Sequence, residues 1–205
     1  MRYTGAKFRL CRREGVNLFG SEKYNVKARR TTPGQHGSSM ARHSEYGKLL
    51  RNKQLLKRSY LMSEKQFAKI VKITASKYAK NNNISHDEAL FQFLERRVDS
   101  IILRSGLAQS IMQARQMVTH GHFTLNGIKH NIPSTFLKPG DVLKLREGLT
   151  KSPLYATTSK TSVKVPSWIK VDKNAYTVEV LSMPKRGEID TQADLLKVIE
   201  FYARA

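Results

Sequence analysis

The stretch from Arg97 to Arg146 constrains the fold more than any other part of this 205-residue chain. Within it, the dipeptide Asn126-Gly127 lies between two short apolar runs, which is the strongest short-range sequence signal for a β-hairpin. Two amphipathic helical patterns precede the hairpin and end at Gly106 and Gly121, because glycine readily adopts the left-handed backbone that closes a helix. The order helix, tight loop, helix and hairpin predicts a small α+β module.

Local signals predict where the two helices of this module begin and end. The first helix is predicted to run continuously through LERRVDSIILRSG, from Leu94 to Gly106. Ser110 and Gln113 form a Ser-x-x-Gln capping box, so the second helix should begin near Ile111. The free N–H groups at such a helix start are suited to binding a phosphate.

The charge of the chain indicates the kind of partner it has. Lys and Arg number 37 against 16 Asp and Glu, which gives a formal net charge of +21 and favours a polyanion. No window approaches eighteen consecutive apolar residues, so nucleic acid is preferred over a membrane. Cys11 is the only cysteine, which excludes an internal disulfide and a Cys-x-x-Cys metal site and suits a reducing compartment.

Helical periodicity assigns the side chains of the module's second helix to faces. Arg115 and Gln116 are predicted to point away from the apolar face formed by Ile111, Ala114 and Val118. Replacing either with alanine should therefore weaken nucleic-acid binding and change the free energy of unfolding by no more than about 0.5 kcal/mol.

The positive charge is concentrated in the first third of the chain. The first sixty residues hold fifteen Lys and Arg but only three acidic residues. Up to about His43 there is little apolar periodicity, and Gly, Pro, Ser and Thr are frequent. We expect an irregular basic extension that takes its shape from a partner, and the alternative is a disordered solubilising tail.

The remaining sequence predicts helices on either side of the module. A basic amphipathic helix is expected from Tyr46 to Tyr60, and a second helix starts at the Ser63/Gln66 capping box. Further predicted elements are a helix from 85, a loop over 147–164, a strand over 176–181 and a terminal helix over 192–202. Trp168 is expected to anchor packing and not to stack on a base.

Catalytic motifs are missing from the sequence. Gly15 to Gly20 has the glycine spacing of a phosphate-binding loop, but Ser21-Glu22 follows where that loop needs Lys and then Ser or Thr. The histidines lack His-Glu-x-x-His spacing, and His120 with His122 has no carboxylate or thiol companion suited to a closed metal site. We therefore expect no enzyme activity, no cofactor and no metal.

Taken jointly, the motifs of the central stretch resemble the RNA-binding domain named after small-subunit ribosomal protein four. The matching residues are Leu94, Glu95, Arg97, Asp99, Gly106, Ser110, Ala114, Arg115, Val118, His120-Gly121-His122, Asn126-Gly127, Pro133, Pro139-Gly140 and Asp141. This module also occurs in pseudouridine synthases, some tyrosyl-tRNA synthetases and small stress proteins. Elsewhere, Tyr3-Thr4-Gly5, Pro33-Gly34-Gln35-His36-Gly37 and Pro166-Ser167-Trp168 resemble elements of the bacterial-type small-subunit ribosomal protein four family, so the resemblance covers nearly the whole chain.

The resemblance implies a structural constituent of the small ribosomal subunit. Such a protein binds small-subunit rRNA directly, nucleates assembly of the subunit body and contributes to translational accuracy. The implied partners are ribosomal proteins five and twelve of the small subunit and messenger RNA where it enters the subunit. The implied location is the cytoplasmic ribosome, with an organellar ribosome left open. The alternative is a free-standing RNA chaperone or translational repressor that uses the same module.

The predicted fold class is α+β, in three parts. Residues 1–45 form a basic N-terminal rRNA-binding extension. Residues 46–93 form a small helical domain, which the resemblance completes with 186–205. Residues 94–185 form an inserted RNA-binding module with a helix–loop–helix and an antiparallel sheet.

Charge, side-chain amides and the resemblance together select the predicted RNA-binding residues. They are Arg2, Tyr3, Lys7, Arg9, Arg12, Arg13, Lys27, Arg29, Arg30, Gln35, His36, Arg42, Lys48, Arg51, Lys53, Lys57, Arg58, Arg97, Arg104, Gln109, Ser110, Gln113, Arg115, Gln116, His120, His122, Asn126 and Lys129.

Overall fold

A computed structural model describes residues 3–26, 31–39, 44–78, 83–158, 164–189 and 191–204. The chain divides into two compact units. The first unit comprises Met1–Asp87 and Thr191–Ala205, and the second comprises Glu88–Asp190. The domain boundaries drawn from the sequence stay a prediction, because spatial compactness does not test which segments fold independently.

The first unit is helical. Its elements are α1 (Lys7–Glu14), a 3₁₀ turn (Glu22–Tyr24), α2 (Glu45–Ser59), α3 (Glu64–Ile73) and a π-helical turn (Thr74–Tyr78). The helix from the end of the chain, which we call α8 (Leu195–Arg204), packs against α2 and α3. The side chain of Ser63 accepts a hydrogen bond from Gln66 N, as the capping box predicts.

The second unit combines helices with a five-stranded antiparallel sheet, which confirms the α+β class. Its helices are α4 (His86–Glu95, in this unit from Glu88 onward), α5 (Val98–Arg104), α6 (Ile111–Thr119) and α7 (Pro153–Thr158). The strands are β1 (Phe123–Leu125), β2 (Ile128–His130), β3 (Val142–Leu145), β4 (Ile169–Asp172) and β5 (Thr177–Val180), in the order β2-β1-β3-β5-β4. The sheet therefore has β2 at one edge and β4 at the other.

The predicted hairpin is present. Asn126 and Gly127 have φ of 49° and 86°, the left-handed pair that a two-residue turn of type I′ requires. The turn sets the register of β1 and β2, with Phe123 opposite His130. The side chain of Asn126 also bonds the next connection, because its Oδ1 accepts from Val142 N at 2.9 Å.

The core of the second unit lies between α5 and α6 and one face of the sheet. The helices contribute Val98, Ile101, Ile102, Ala114, Met117 and Val118, and the strands contribute Phe123, Leu143, Leu145, Ile169, Val178 and Val180. Trp168 is 1% exposed and belongs to this core, as expected of a packing anchor.

The helix predicted from Leu94 to Gly106 is wrong in one respect, because the chain leaves helical geometry at Arg97. There the backbone is extended, with φ −68° and ψ 141°, and it forms a β-bridge with Phe136. Val98 N donates to Thr135 O at 3.0 Å, which fixes the start of α5. Helical periodicity does not detect this break, since apolar residues continue at helical spacing on both sides of it.

Two segments predicted to lack regular structure contain helices. In the N-terminal extension, α1 forms and buries Cys11, its one fully buried side chain. In the predicted loop over 147–164, a 3₁₀ turn (Glu147–Leu149) and α7 form, and Tyr155 of α7 is 0% exposed. In α1, Cys11 is the one buried side chain, so this helix shows no periodic apolar pattern. Among the described residues, no helix is both long and apolar enough to cross a membrane.

Candidate nucleic-acid interface

Several predicted RNA-binding cations of the second unit are committed to buried ion pairs. The carboxylate of Asp99 is 0% exposed and accepts from Arg97 Nη2 at 2.8 Å and from Arg115 Nη2 at 2.7 Å. The Nε atoms of both arginines also donate to it, and Ser100 N adds a further bond at 3.0 Å. Arg115 of α6 is therefore tied to α5 by an ion pair, which the prediction that its side chain points away from the apolar face did not include.

Arg104 is held in the same way. Its Nε and Nη2 donate to both oxygens of Glu95, at 3.0 and 2.8 Å, and that carboxylate is 0% exposed. A bidentate pair of this kind fixes the orientation of the guanidinium as well as its charge. Arg97, Arg104 and Arg115 thus stabilise the fold of the helical pair before any ligand is considered.

Cations of α2 are likewise paired within the first unit. Arg51 and Arg58 both donate to Glu14 Oε1, and the Glu14 side chain is 2% exposed. Burial raises the pKa of Glu14, and the two guanidinium groups oppose that rise. This carboxylate fixes α1 to α2, so Arg51 and Arg58 support the fold although both side chains are partly exposed.

Three lysines of α2 also have carboxylate partners. Lys53 and Lys57 each donate to Glu64 at 2.7 Å, and Lys48 donates to Glu45 at 2.6 Å. The Lys48 pair is exposed on both sides, and exposed pairs of this kind contribute little stability. Lys48 therefore stays available to a polyanion in a way that Lys53, which is 6% exposed, does not.

Helix α1 presents a second set of cations. Arg9 and Arg13 are exposed and Lys7 is half-buried, and none of the three forms an ion pair within the described ranges. Arg12 has a different task, because its guanidinium donates to Thr31 O at 2.9 Å and to Thr32 O at 3.1 Å. Arg12 holds the following loop in place, and the other three are the polyanion-facing cations of this helix.

The loop that Arg12 holds carries two predicted contact residues at its tip. Thr32 Oγ1 donates to Gly37 O at 3.1 Å, and Gly37 N donates to Gly34 O at 3.2 Å, which closes the turn. A Cβ at position 37 would lie 2.0 Å from Thr32 O, so only glycine fits there. The closed turn leaves the side chains of Gln35 and His36 exposed.

Helix α6 displays a stripe of polar side chains on its outer face. Gln109, Gln113, Gln116 and His120 recur every three or four residues, and all are exposed or half-buried. Ser110 Oγ accepts a hydrogen bond from Gln113 N at 3.3 Å, as the capping box predicts. The side chain of Gln113 in turn accepts a hydrogen bond through Oε1 from Gln109 N at 2.8 Å. We call these four residues the α6 stripe.

The α6 stripe ends at a cluster of nitrogen-rich side chains around one glycine. Lys129 of β2 lies across Gly121, with its Cε 2.7 Å from where a Cβ of that residue would be. Arg146 Nη1 donates to Gly121 O at 3.4 Å, and the rings of His120 and His122 are 6.0 Å apart. We call these five residues the Gly121 cluster.

The surroundings of His122 disfavour the charged form of its imidazole. Burial lowers its pKa, and the neighbouring His120 and Arg146 lower it further. Its Nδ1 lies 2.8 Å from the hydroxyl of Tyr155, whose pKa is raised by burial, so the two share a hydrogen bond between uncharged groups. Tyr155 thereby fixes the ring of His122 at the edge of the Gly121 cluster.

The structure accounts for the remaining predicted site residues as follows. Tyr3 is half-buried in the first unit, and Asn126 uses its side chain within the second unit, where Nδ2 donates to Asp141 at 2.9 Å. Five predicted residues lie outside the described part of the chain: Arg2, Lys27, Arg29, Arg30 and Arg42. Sequence reasoning missed Arg146 and Tyr155, and only the return of β3 and the burial of α7 bring them to the cluster.

Comparisons with known proteins bear on what this surface binds. The family profile described as "Ribosomal protein S4/S9 N-terminal domain" matches residues 2–95, and the profile "S4 domain" matches residues 96–143. The small ribosomal subunit protein uS4 of Thermoanaerobacter sp. (strain X514) is 41% identical over 209 residues, which cover 99% of both chains. The proteins of the same name from Clostridioides difficile and Rubrobacter xylanophilus are each 40% identical, again over 99% of both chains.

Proposed function

The chain belongs to the small ribosomal subunit protein uS4 family, and we propose that it binds small-subunit rRNA through the Gly121 cluster, the α6 stripe and the exposed cations of α1. It is a structural, non-enzymatic constituent of the small ribosomal subunit. The observation that carries the proposed interface is the separation of the cations into two sets. One set is paired to carboxylates of its own unit, and the other has no carboxylate partner in the described part of the chain.

The second set has the chemistry that a phosphate backbone requires. Lys129 and Arg146 lie against the same glycine, at the end of the helix that carries the amide side chains of the α6 stripe. Cations neutralise phosphates and release counterions, and amides donate hydrogen bonds to sugars, phosphates or base edges. We therefore assign electrostatic affinity to the Gly121 cluster and finer positioning to the α6 stripe.

The larger role that we propose concerns the order of assembly. Because both units of the chain are positively charged and can bind rRNA directly, we propose that the chain binds early and nucleates assembly of the subunit body. We further propose neighbours in ribosomal proteins five and twelve, a contribution to translational accuracy, and contact with messenger RNA where it enters the subunit. The proposed location is the cytoplasmic ribosome.

A binding experiment with a matched control tests the interface. The Lys129→Met variant removes a cation at one edge of the sheet, and Lys170→Met removes an exposed cation from β4 at the opposite edge. Both variants lose one charge from the surface of the same unit. We expect Lys129→Met to weaken binding to full-length small-subunit rRNA several-fold and Lys170→Met to leave it unchanged. Equal losses would contradict the assignment of the surface.

A sedimentation experiment separates the proposed assembly role from a free-standing RNA chaperone or repressor. We expect the chain to be recovered in stoichiometric amounts with small subunits after a high-salt wash. In reconstitution from purified components, leaving the chain out should stall assembly of the subunit body. Recovery only in the soluble fraction would favour the free-standing alternative.

A further inference from the structure

Gly121 has a left-handed backbone and lies against the stem of Lys129. Its φ of +68° lies in the left-handed region, and it is buried where α6 ends. A Cβ built on it would lie 2.7 Å from Lys129 Cε and 3.8 Å from Lys129 Cγ. By contrast, Gly127 has a φ of +86° in the hairpin turn, and a Cβ there would meet nothing within 4 Å.

The space that a side chain at position 121 would fill is therefore taken by the stem of Lys129. This stem crosses the glycine and carries the ammonium group to within 3.7 Å of the same Cβ position. Any larger residue would push the lysine aside, because carbon atoms do not approach as closely as 2.7 Å. The lysine has other rotamers, so displacement would move its charge without unfolding the strand.

The backbone of the same glycine also orders the second cation. Its carbonyl accepts from Arg146 Nη1 at 3.4 Å, and Arg146 N donates to His122 O at 3.0 Å. Neither Lys129 nor Arg146 forms an ion pair with any carboxylate in the described ranges. Two cations beside this imidazole, neither paired to a carboxylate in the described ranges, suit the two non-bridging oxygens of a phosphate group.

We infer that Gly121 is a positioning residue, which sets Lys129 and Arg146 to grip a single phosphate group of the RNA backbone at the C-terminal end of α6. The inference rests on the proposed function, because it takes the ligand to be rRNA. It adds two points to that function. The ligand group is a phosphodiester, and Gly121 creates the site although it has no side chain to contact the ligand.

A simpler role for Lys129 has to be separated from this one. A cation near the last carbonyl groups of a helix is stabilised by the helix dipole, so Lys129 could serve α6 alone. In that case its removal would lower the melting temperature and leave RNA affinity unchanged. If Lys129 instead binds a phosphate, its removal should change the RNA affinity and the salt dependence of that affinity more than it changes stability.

The test uses the full chain and full-length small-subunit rRNA, with affinity measured over a range of salt concentrations. Gly121→Ala is compared with Gly127→Ala, which introduces the same side chain on a left-handed backbone but in open space. Lys129→Met, Lys129→Arg and the double variant Gly121→Ala/Lys129→Met complete the set. Thermal unfolding of each variant is recorded alongside.

We expect Gly121→Ala and Lys129→Met each to reduce the slope of log K against log[salt] by about 0.9, the value for one phosphate contact. The double variant should bind no more weakly than Lys129→Met, because both changes remove the same contact. Gly127→Ala should keep the wild-type slope, and Lys129→Arg should restore it. If Gly121→Ala fails to fold, the two Lys129 variants still decide the matter.

Three outcomes would overturn the inference. Equal slopes for Gly121→Ala and Gly127→Ala would mean that position 121 has no special effect on binding. A full additional loss in the double variant would mean that Gly121 and Lys129 act separately. A stability loss without a change in affinity would leave Lys129 as a helix cap. Salt-independent binding of the wild-type chain would instead contradict the proposed function.

Discussion

At the scale of single residues, Asp99 determines how the cations around it are used. Its carboxylate is fully buried and is bonded by two guanidinium groups and a backbone N–H. A buried, charged carboxylate is stable only while its cationic partners remain. The paired guanidinium groups depend on the carboxylate in the same way. Asp99 therefore fixes Arg97 and Arg115 as structural residues, whatever else they contact.

The first prediction measures this dependence. Asp99→Ala removes the acceptor shared by one buried and one half-buried guanidinium group, so the free energy of unfolding should fall by about 3–5 kcal/mol. Arg115→Ala leaves Asp99 paired to Arg97 and should cost about 1–3 kcal/mol. Urea unfolding followed by the fluorescence of Trp168, the only tryptophan of the chain, reports on this unit.

The control for this prediction lies next in the sequence. Gln116 is exposed on the α6 stripe, so Gln116→Ala should change the free energy of unfolding by no more than about 0.5 kcal/mol. If Arg115→Ala were as mild as Gln116→Ala, the ion pair to Asp99 would contribute nothing and Arg115 would be a surface residue after all.

At the scale of secondary-structure elements, Glu64 joins three helices of the first unit. From the start of α3 it accepts from Lys53 and Lys57 of α2 at 2.7 Å each, and from the hydroxyl of Tyr202 in α8 at 2.7 Å. Burial would raise the pKa of Glu64, but these hydrogen bonds outweigh it and lower the pKa to about 2. The same bond and burial raise the pKa of Tyr202.

The second prediction follows from the direction of this shift. Because the pKa of Glu64 is lower in the folded chain than its ordinary value of 4.5, its contribution to stability is complete above about pH 4.5. That contribution is lost as the pH falls from about 4.5 through about 2. Glu64→Gln should therefore flatten the loss of stability in this window, measured by acid unfolding monitored by circular dichroism.

A matched variant locates the origin of the effect. Tyr202→Phe removes one of the three hydrogen bonds and should bring the pKa of Glu64 closer to its ordinary value, so the loss of stability should be smaller and end at a higher pH. Glu45→Gln, which breaks an exposed pair in the same unit, should leave the transition where it is. An unchanged acid profile in Glu64→Gln would show that other carboxylates control acid unfolding.

The elements differ in how far the sequence predicts them. The hairpin at Asn126-Gly127 follows from local backbone chemistry, since those two residues supply the left-handed conformations of the turn. The break at Arg97 depends on hydrogen bonds to Thr135 and Leu137, which are about forty positions away, and no local pattern contains it. Helix α7 places Tyr155 in the core, although the sequence from Lys151 to Lys160 shows no apolar periodicity.

The interface shows the same division. Residue type and charge select Lys129 and the α6 stripe correctly as side chains that face outward. They do not distinguish them from Arg104 or Arg115, because a buried carboxylate partner such as Asp99 becomes visible only when α5 and α6 are packed. The sequence thus predicts which residues are cations, but not which of those cations are paired to carboxylates in the folded chain.

At the scale of the whole molecule, a net charge of +21 overstates the charge available to RNA. In the described part of the chain, Lys7, Arg9, Arg13, Lys129 and Arg146 are the cations of the proposed interface that have no ion pair and do not brace a loop. If Lys7, Arg9 and Arg13 each neutralise one phosphate, and Lys129 and Arg146 together neutralise one more, log K should fall against log[salt] with a slope of about −3.6. This third prediction is tested by titration from low to physiological salt.

Two results would limit the electrostatic account. A slope shallower than about −2 would mean that few phosphates are neutralised and that the positive charge serves another purpose. Neutralising Arg9 and Arg13 together should reduce the slope by about 1.8, whereas neutralising the exposed, paired Lys48 should change it less.

The buried thiol of Cys11 allows the opening of helix α1 to be measured as a rate of alkylation. It is the only cysteine of the chain and its side chain is 0% exposed, and burial raises the pKa of its thiol. A thiol-specific reagent therefore reaches it only in molecules whose α1 has transiently lifted away, so the alkylation rate reports the population of that open form. No label has to be engineered, since the chain contains no competing thiol.

The fourth prediction uses the alkylation rate of Cys11. Arg58→Met weakens the attachment of α1 to α2 through Glu14 and should accelerate alkylation, while Lys170→Met in the other unit should not. Saturating rRNA should slow alkylation of the wild-type chain, because a ligand that grips Arg9 and Arg13 also holds α1 closed. An rRNA-independent rate would mean that the helix opens just as freely in the complex, and that its outward cations are not gripped there.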